Sequence, residues 1–106
     1  MQEEPLDYIW QQLYGTVSSL ATGNLSERKR LQNAVSSRLH RIFHSSKKPN
    51  VDMSISERIN ALEDILTKHG SFEESIEKME EREVTNTIEE IVSLFNKVAR
   101  SYPDTE

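Results

Sequence analysis

The chain has 106 residues, of which 35% are hydrophobic and 29% are charged, and its net charge is −5, a composition that suits one small domain. The absence of cysteine excludes a disulfide framework and a thiol-ligated metal site. No apolar run approaches the roughly 18 residues of a transmembrane segment and the N-terminus does not resemble a signal peptide, so we expect an intracellular protein, cytoplasmic or nuclear.

The first predicted helix covers residues 5–22. Pro5 suits the first turn of a helix, and Gly23 is a typical residue for the position just after one. Between them, apolar residues recur at spacings of three and four, as expected for one buried face. These residues are Leu6, Ile9, Trp10, Leu13, Val17 and Leu20.

The second predicted helix covers residues 25–45. Asn24 and Glu27 have the spacing of a capping box, which favours a helix start at this point. Its apolar positions again follow the helical period. They are Leu31, Val35, Leu39 and Ile42. Residues 45–53 contain a proline and several turn-forming residues, so we interpret them as a loop.

Two further helices are predicted over residues 55–69 and 72–101, with Ser54 and Ser71 as their N-terminal caps. The last segment either bends near residues 85–87 or projects beyond the other helices, and we favour a single long or bent helix. No stretch alternates apolar and polar residues at strand period. The sequence therefore predicts an all-α fold, a single-domain antiparallel bundle of four helices over residues 1–106.

The first predicted helix has an unusual outer face. No charged residue occurs between Asp7 and Glu27, although charge is abundant elsewhere in the chain. The face opposite the apolar stripe carries Tyr8, Gln12, Gly15 and Ser19. A glycine inside a helix costs about 1 kcal/mol relative to alanine, which indicates close packing at that position. Two interpretations are open: this face is covered within its own bundle, or it binds another chain.

The second predicted helix and the loop after it carry a row of basic residues. Residues 27–48 contain seven basic side chains and one acidic one, whereas residues 49–106 contain fourteen acidic and six basic ones. A basic face of this kind can bind phosphate groups of nucleic acid or of another anionic surface. The candidate anion-binding residues are Arg30, Arg41, His44, Lys47 and Lys48.

The sequence offers little support for catalysis or metal binding. His40 and His44 have the spacing of a two-histidine chelate, but no third ligand lies near them in the sequence. The acidic residues of 73–83 follow one another along a predicted exposed helix, which is typical of solvated charge. No phosphate-binding loop or nucleophile motif occurs. We expect no catalytic residue, metal or cofactor.

These observations favour a non-enzymatic protein–protein interaction module, that is, a subunit, adaptor or regulator that acts through helical surfaces. The expected partner is another protein, or a second copy of the chain in a homo-oligomer. The candidate contact residues are those of the outer face of the first helix. The alternative hypothesis is a nucleic-acid or anionic-surface binder that uses the basic second helix.

Overall fold

The computed structural model describes the backbone of residues 5–21, 25–45 and 52–101, and the side chains of residues 8–21, 25–43 and 52–100. Every regular element in these ranges is helical, which confirms the all-α prediction. In chain order the elements are α1 (Pro5–Ala21), α2 (Glu27–Ser37), a 3-10 turn (Leu39–Arg41), α3 (Ile42–Ser45), α4 (Met53–Leu66), α5 (Phe72–Glu77) and α6 (Glu81–Ser101).

One hydrophobic core joins these helices. The helices α1, α2 and α6 contact one another pairwise, and α4 packs against α3, α5 and α6. Burying a large apolar side chain stabilises the folded state by about 1.5–3 kcal/mol. The fully buried large side chains include Ile9, Leu13, Leu31, Leu39, Ile42, Ile55, Ile59, Leu62, Leu66, Ile76, Ile91 and Leu94.

Two contacts show that α1 and α2 run antiparallel. Near the start of α2, the guanidinium of Arg30 donates to the carbonyl oxygen of Leu20, near the end of α1, at 3.2 Å. Just after α2, the side chain of Arg38 lies against Gly15 in the middle of α1. The bond from Arg30 also gives a cation to the C-terminal end of α1, where the helix dipole favours positive charge.

The helices α4 and α6 form a second antiparallel pair. Arg58 in α4 bonds to Glu90 in α6 at 2.9 Å, and Ile65, two turns later in α4, lies beside Asn86, one turn earlier in α6. Ile65 borders the groove between these helices and is 43% exposed. Ile65 thus lies at the edge of the buried face of α4, although its spacing from Leu62 and Ile59 predicts that it faces inward.

The second predicted helix, over residues 25–45, is interrupted at Arg38, where the backbone leaves helical geometry (φ −135°, ψ −54°). The hydroxyl of Ser37 donates to the carbonyl oxygen of Asn33 at 2.6 Å, and the hydroxyl of Ser36 makes a similar bond one residue earlier. Such bonds compete with the helical backbone bonds and weaken a helix. Two adjacent serines therefore mark the point where the helix breaks.

The last predicted helix, over residues 72–101, is two helices. The break lies at residues 78–80, ahead of the predicted bend at 85–87. The carboxylate of Glu83 accepts a hydrogen bond from the backbone N–H of Glu80 at 2.9 Å, which is half of a capping box and starts α6. A single straight helix over the whole segment is about 45 Å long at 1.5 Å per residue, longer than the 40 Å greatest dimension of the fold.

Two helix starts use a different cap from the predicted one. Ser26 caps α2 by accepting from the backbone N–H of Lys29 at 3.2 Å, and Asn24, the predicted cap, lies outside the described residues. Asp52, and not Ser54, caps α4 by accepting from the backbone N–H of Ser54 at 2.8 Å and from its hydroxyl at 2.6 Å. These bonds to the carboxylate hold the pKa of Asp52 below its ordinary value of 3.8.

The turn between α4 and α5 begins earlier than the predicted helix end at residue 69. The helix α4 ends at Leu66, and the hydroxyl of Thr67 donates to a carbonyl oxygen one turn back at 2.7 Å. Gly70 has a positive φ of 102°, which a residue with a side chain rarely adopts. Ser71 then caps α5, as predicted. The predicted cap at Gly23 and residues 46–51 of the predicted loop lie outside the described residues.

Candidate protein-interaction surface

The predicted outer face of α1 is only partly at the surface. Gln12 is 7% exposed, while Tyr8, Gly15 and Ser19 are half-buried. Gln12 is therefore an interior residue. The helix α1 packs against both α2 and α6, so it buries residues beyond its single apolar stripe. The exposed positions among the described side chains of α1 are Gln11, Tyr14, Ser18 and Ala21.

Three aromatic rings meet at the surface where α1 lies against α6. The rings of Trp10 and Tyr14 are stacked with 5.4 Å between their centroids, and both lie near the ring of Phe95 in α6, at 6.2 and 6.3 Å. Tyr14 is 56% exposed, and the other two rings are half-buried. We call these three residues the aromatic surface. Tyr14 and Phe95 were absent from the predicted site, although Tyr14 follows Trp10 by one helical turn, a spacing that places both rings on one side of a helix.

Most described neighbours of the aromatic surface are uncharged, and the cation Arg38, beside Tyr14, is an exception. The exposed residues of α1 from Tyr8 to Ala21, where its side chains are described, are neutral, and so are Asn96 and Ala99, the exposed residues next to Phe95 and one turn after it in α6. Charged residues are depleted from the centres of protein interfaces, where aromatic residues are enriched. The composition of this part of the surface is therefore that of an interface centre.

A shallow groove beside Tyr14 holds the side chain of Arg38. A Cβ atom on Gly15 would lie 2.8 Å from the guanidinium carbon of Arg38, so the missing side chain of Gly15 leaves the space that the guanidinium occupies. Tyr14, Ser18 and Ser37 line the same groove, and no acidic residue does. This contact gives a physical reason for a glycine inside α1, and it lies within the same chain.

The predicted anion-binding row does not form one described surface. Arg30 is half-buried and bonds to the end of α1. Arg41 is exposed. The side chain of His44 lies outside the described residues, as do Lys47 and Lys48. The structure instead brings Arg38, which the prediction omitted, next to Arg41, because the backbone N–H of Arg41 donates to the carbonyl oxygen of Arg38 at 3.1 Å in the 3-10 turn.

His40, one of the two histidines with chelate spacing, contacts its own chain. Nδ1 of His40 lies 3.0 Å from the carbonyl oxygen of Val35, and its ring lies 6.3 Å from that of Phe72. His40 is half-buried as a result. Among the described residues, no three histidine, cysteine, aspartate or glutamate side chains come together as metal ligands.

The acidic segment of residues 73–83 contributes one ion pair between elements. Glu81, at the start of α6, pairs with Arg28 of α2 at 3.1 Å, and Arg28 also donates to the carbonyl oxygen of Ile76. The glutamates of this segment are exposed.

Within the described ranges, no helix combines the length and the apolar character that a membrane crossing requires. Comparison of the chain with family models, with curated proteins and with solved structures finds no match.

Proposed function

We propose that this protein is a non-enzymatic protein–protein interaction module, a subunit, adaptor or regulator of a larger assembly, and that its aromatic surface is the contact with the partner. The observation that carries the proposal is the exposure of Tyr14, stacked on Trp10 and beside Phe95, in a surface whose described exposed residues are mostly uncharged. The proposal includes an intracellular location, in the cytoplasm or the nucleus, which the absence of cysteine supports.

The exposed ring of Tyr14 leaves apolar area in contact with water. Tyrosine and tryptophan are the most frequent anchor residues of protein interfaces because a large ring contributes contact area with few torsions to immobilise. A pair of aromatic rings in contact also contributes about 0.5–1.5 kcal/mol beyond its burial. The stacked rings are thus already held in place before a partner arrives, and a partner that covers Tyr14 removes its exposed area from water.

The alternative, a nucleic-acid or anionic-surface binder that uses α2, has less support. Binding to a polyanion requires several cations along one track. Of the basic residues in α2, Arg28 bonds to α5 and α6, and Arg30 bonds to the end of α1. These two guanidiniums contribute to the internal contacts of the bundle.

Site-specific crosslinking tests the proposal. A photo-reactive phenylalanine analogue replaces Tyr14 in the protein expressed in its source cells, and the matched control carries the analogue at Glu89, an exposed position of α6. We expect illumination to give a discrete crosslinked protein for position 14 and none of that size for position 89. Equal crosslinking at both positions, or none at position 14, contradicts the proposal.

A further inference from the structure

We propose that the aromatic surface binds an acidic amphipathic helix of a partner protein, whose carboxylates bind Arg38 and Arg41 while its apolar side chains cover Tyr14. This inference rests on the proposed function and adds the chemistry of the partner. Its first support is the position of Arg38. The guanidinium lies in the space left by Gly15, in a groove that Tyr14 also lines.

The second support is that these two cations have no carboxylate partner within the described residues. The ion pairs there involve Arg28, Arg58 and Lys78. The sequence between Glu27 and Asp52 contains no acidic residue. An arginine presents up to five donors in a planar fork that matches a carboxylate. No carboxylate of the described residues therefore pairs with Arg38 or Arg41, and both guanidiniums can bind the carboxylates of a partner.

The third support is the spacing of the two cations. Arg38 precedes the 3-10 turn and Arg41 ends it, and the backbone N–H of Arg41 donates to the carbonyl oxygen of Arg38 at 3.1 Å, so the backbones of the two residues are one tight turn, about 6 Å, apart. Two acidic residues four positions apart on an α-helix are also about 6 Å apart along its axis. A partner helix with that acidic spacing can thus place one carboxylate on each arginine.

The charge of the rest of the molecule favours a peptide over a nucleic acid. The chain carries a net charge of −5, with fourteen acidic residues between positions 49 and 106. A long polyanion extends beyond Arg38 and Arg41 and is repelled by the negative charge of the rest of the molecule, whereas a short helix with two carboxylates can be confined to the neighbourhood of these two cations. We therefore expect the partner to be an acidic helix, and the test below includes a nucleic acid as a competing ligand.

The single tryptophan of the chain, Trp10, gives the test a reporter inside the site. The emission of Trp10 is followed while three probes are added: a leucine–glutamate peptide with glutamates four positions apart, the same peptide with lysines for glutamates, and a single-stranded oligouridylate. We expect a saturable change with the glutamate peptide that weakens as salt is added, and a much weaker one with the lysine peptide.

Matched charge variants complete the test. Arg38→Gln should lower the affinity for the glutamate peptide about tenfold, the loss expected for a charge-assisted hydrogen bond. Arg38→Lys, which keeps the charge without the planar fork, should lower it less. Arg82→Gln makes the same change of net charge at an exposed position of α6, several turns before Phe95, and should bind like the unmodified protein. Circular dichroism verifies that each variant folds.

Any of the following results overturns the inference: equal affinities of Arg38→Gln and Arg82→Gln, equal or tighter binding of the lysine peptide, or no saturable response to the glutamate peptide. Tighter binding of the oligouridylate overturns it in favour of a nucleic-acid site. If crosslinking at position 14 nevertheless gives a discrete product, the proposed interaction function stands and only the acidic partner is rejected. If that product is absent as well, the proposed function fails too.

Discussion

The helices α1 and α6 contribute to the same core but differ on their outer faces. Ile9 and Leu13 of α1 and Ile91 and Leu94 of α6 are all fully buried. The exposed positions of α6 carry mostly charged residues, among them Glu81, Arg82, Glu89, Glu90 and Arg100, whereas the exposed positions of α1 from Tyr8 to Ala21, where its side chains are described, carry none. Burial of one helix face therefore does not require a neutral opposite face. The neutral exterior of α1 needs a separate explanation, and we attribute it to contact with a partner.

The largest predicted effect tests whether the buried side chains of α1 and of α6 both contribute to the stability of the shared core. Leu13→Ala in α1 and Ile91→Ala in α6 each remove a fully buried side chain, so each should lower the free energy of unfolding by about 2–5 kcal/mol. Urea denaturation measures both. A loss below about 1 kcal/mol in one helix alone would show that this helix does not belong to the shared core.

A smaller effect is expected at Gln12, the interior polar residue of α1. Its side-chain oxygen is buried and has no hydrogen-bond partner among the described atoms. Gln12→Met keeps the length of the side chain and removes the unpaired oxygen, so it should raise the free energy of unfolding by about 1 kcal/mol. The control is Thr16→Val, which removes a buried hydroxyl bonded to the carbonyl oxygen of Gln12 at 2.7 Å. A gain from both substitutions, or from neither, contradicts this account.

The contact between Gly15 and Arg38 should be visible as a coupling between two substitutions. Alanine is favoured over glycine inside a helix by about 1 kcal/mol, but in the unmodified protein the added methyl group must displace the guanidinium. Gly15→Ala should therefore gain less stability in the unmodified protein than in an Arg38→Ala background. A double-mutant cycle measures the difference. Equal gains in the two backgrounds would mean that Arg38 does not occupy that space in solution.

The smallest expected change in stability tests whether the exposed face of α1 tolerates a charge, as the exposed face of α6 does. Ser18→Glu adds a charge to the exposed face of α1, next to Arg38, and should change the free energy of unfolding by no more than about 0.5 kcal/mol. It should also weaken crosslinking at position 14, because its carboxylate competes for Arg38. A cost above about 1 kcal/mol would indicate that the neutral exterior serves folding and not recognition.

The parts of the fold that depend on periodic burial could be predicted from the sequence. The apolar stripes place residues such as Leu13, Leu31 and Ile59 in the core. The breaks could not be found from periodicity, because they depend on local hydrogen bonds. Adjacent serines interrupt the helix before Arg38, and the carboxylate of Glu83 starts a new helix. Both groups of residues are visible in the sequence. The apolar residues keep their helical spacing across both breaks, so periodicity alone predicts uninterrupted helices.

The candidate surface could be predicted only in part. The absence of charge between Asp7 and Glu27 points to α1, which carries two of the three rings of the aromatic surface, and Gly15 indicates close packing. The exposed side of α1 depends on where α2 and α6 pack, and a single amphipathic pattern does not contain that information. Phe95 and Arg38 join the surface through contacts distant in sequence. Sequence spacing within one helix therefore predicted Gln12 at the surface and missed Tyr14.

Radical footprinting of the protein inside its source cells tests most directly whether the aromatic surface is covered by a partner. Tyr14 and Met53 are both reactive and exposed, at 56% and 73%, and Met53 lies at the start of α4, outside the aromatic surface. In the isolated, dilute protein both should be oxidised. In cells we predict that Tyr14 is protected while Met53 is oxidised as before. Equal oxidation of Tyr14 in cells and in isolation would contradict the central claim.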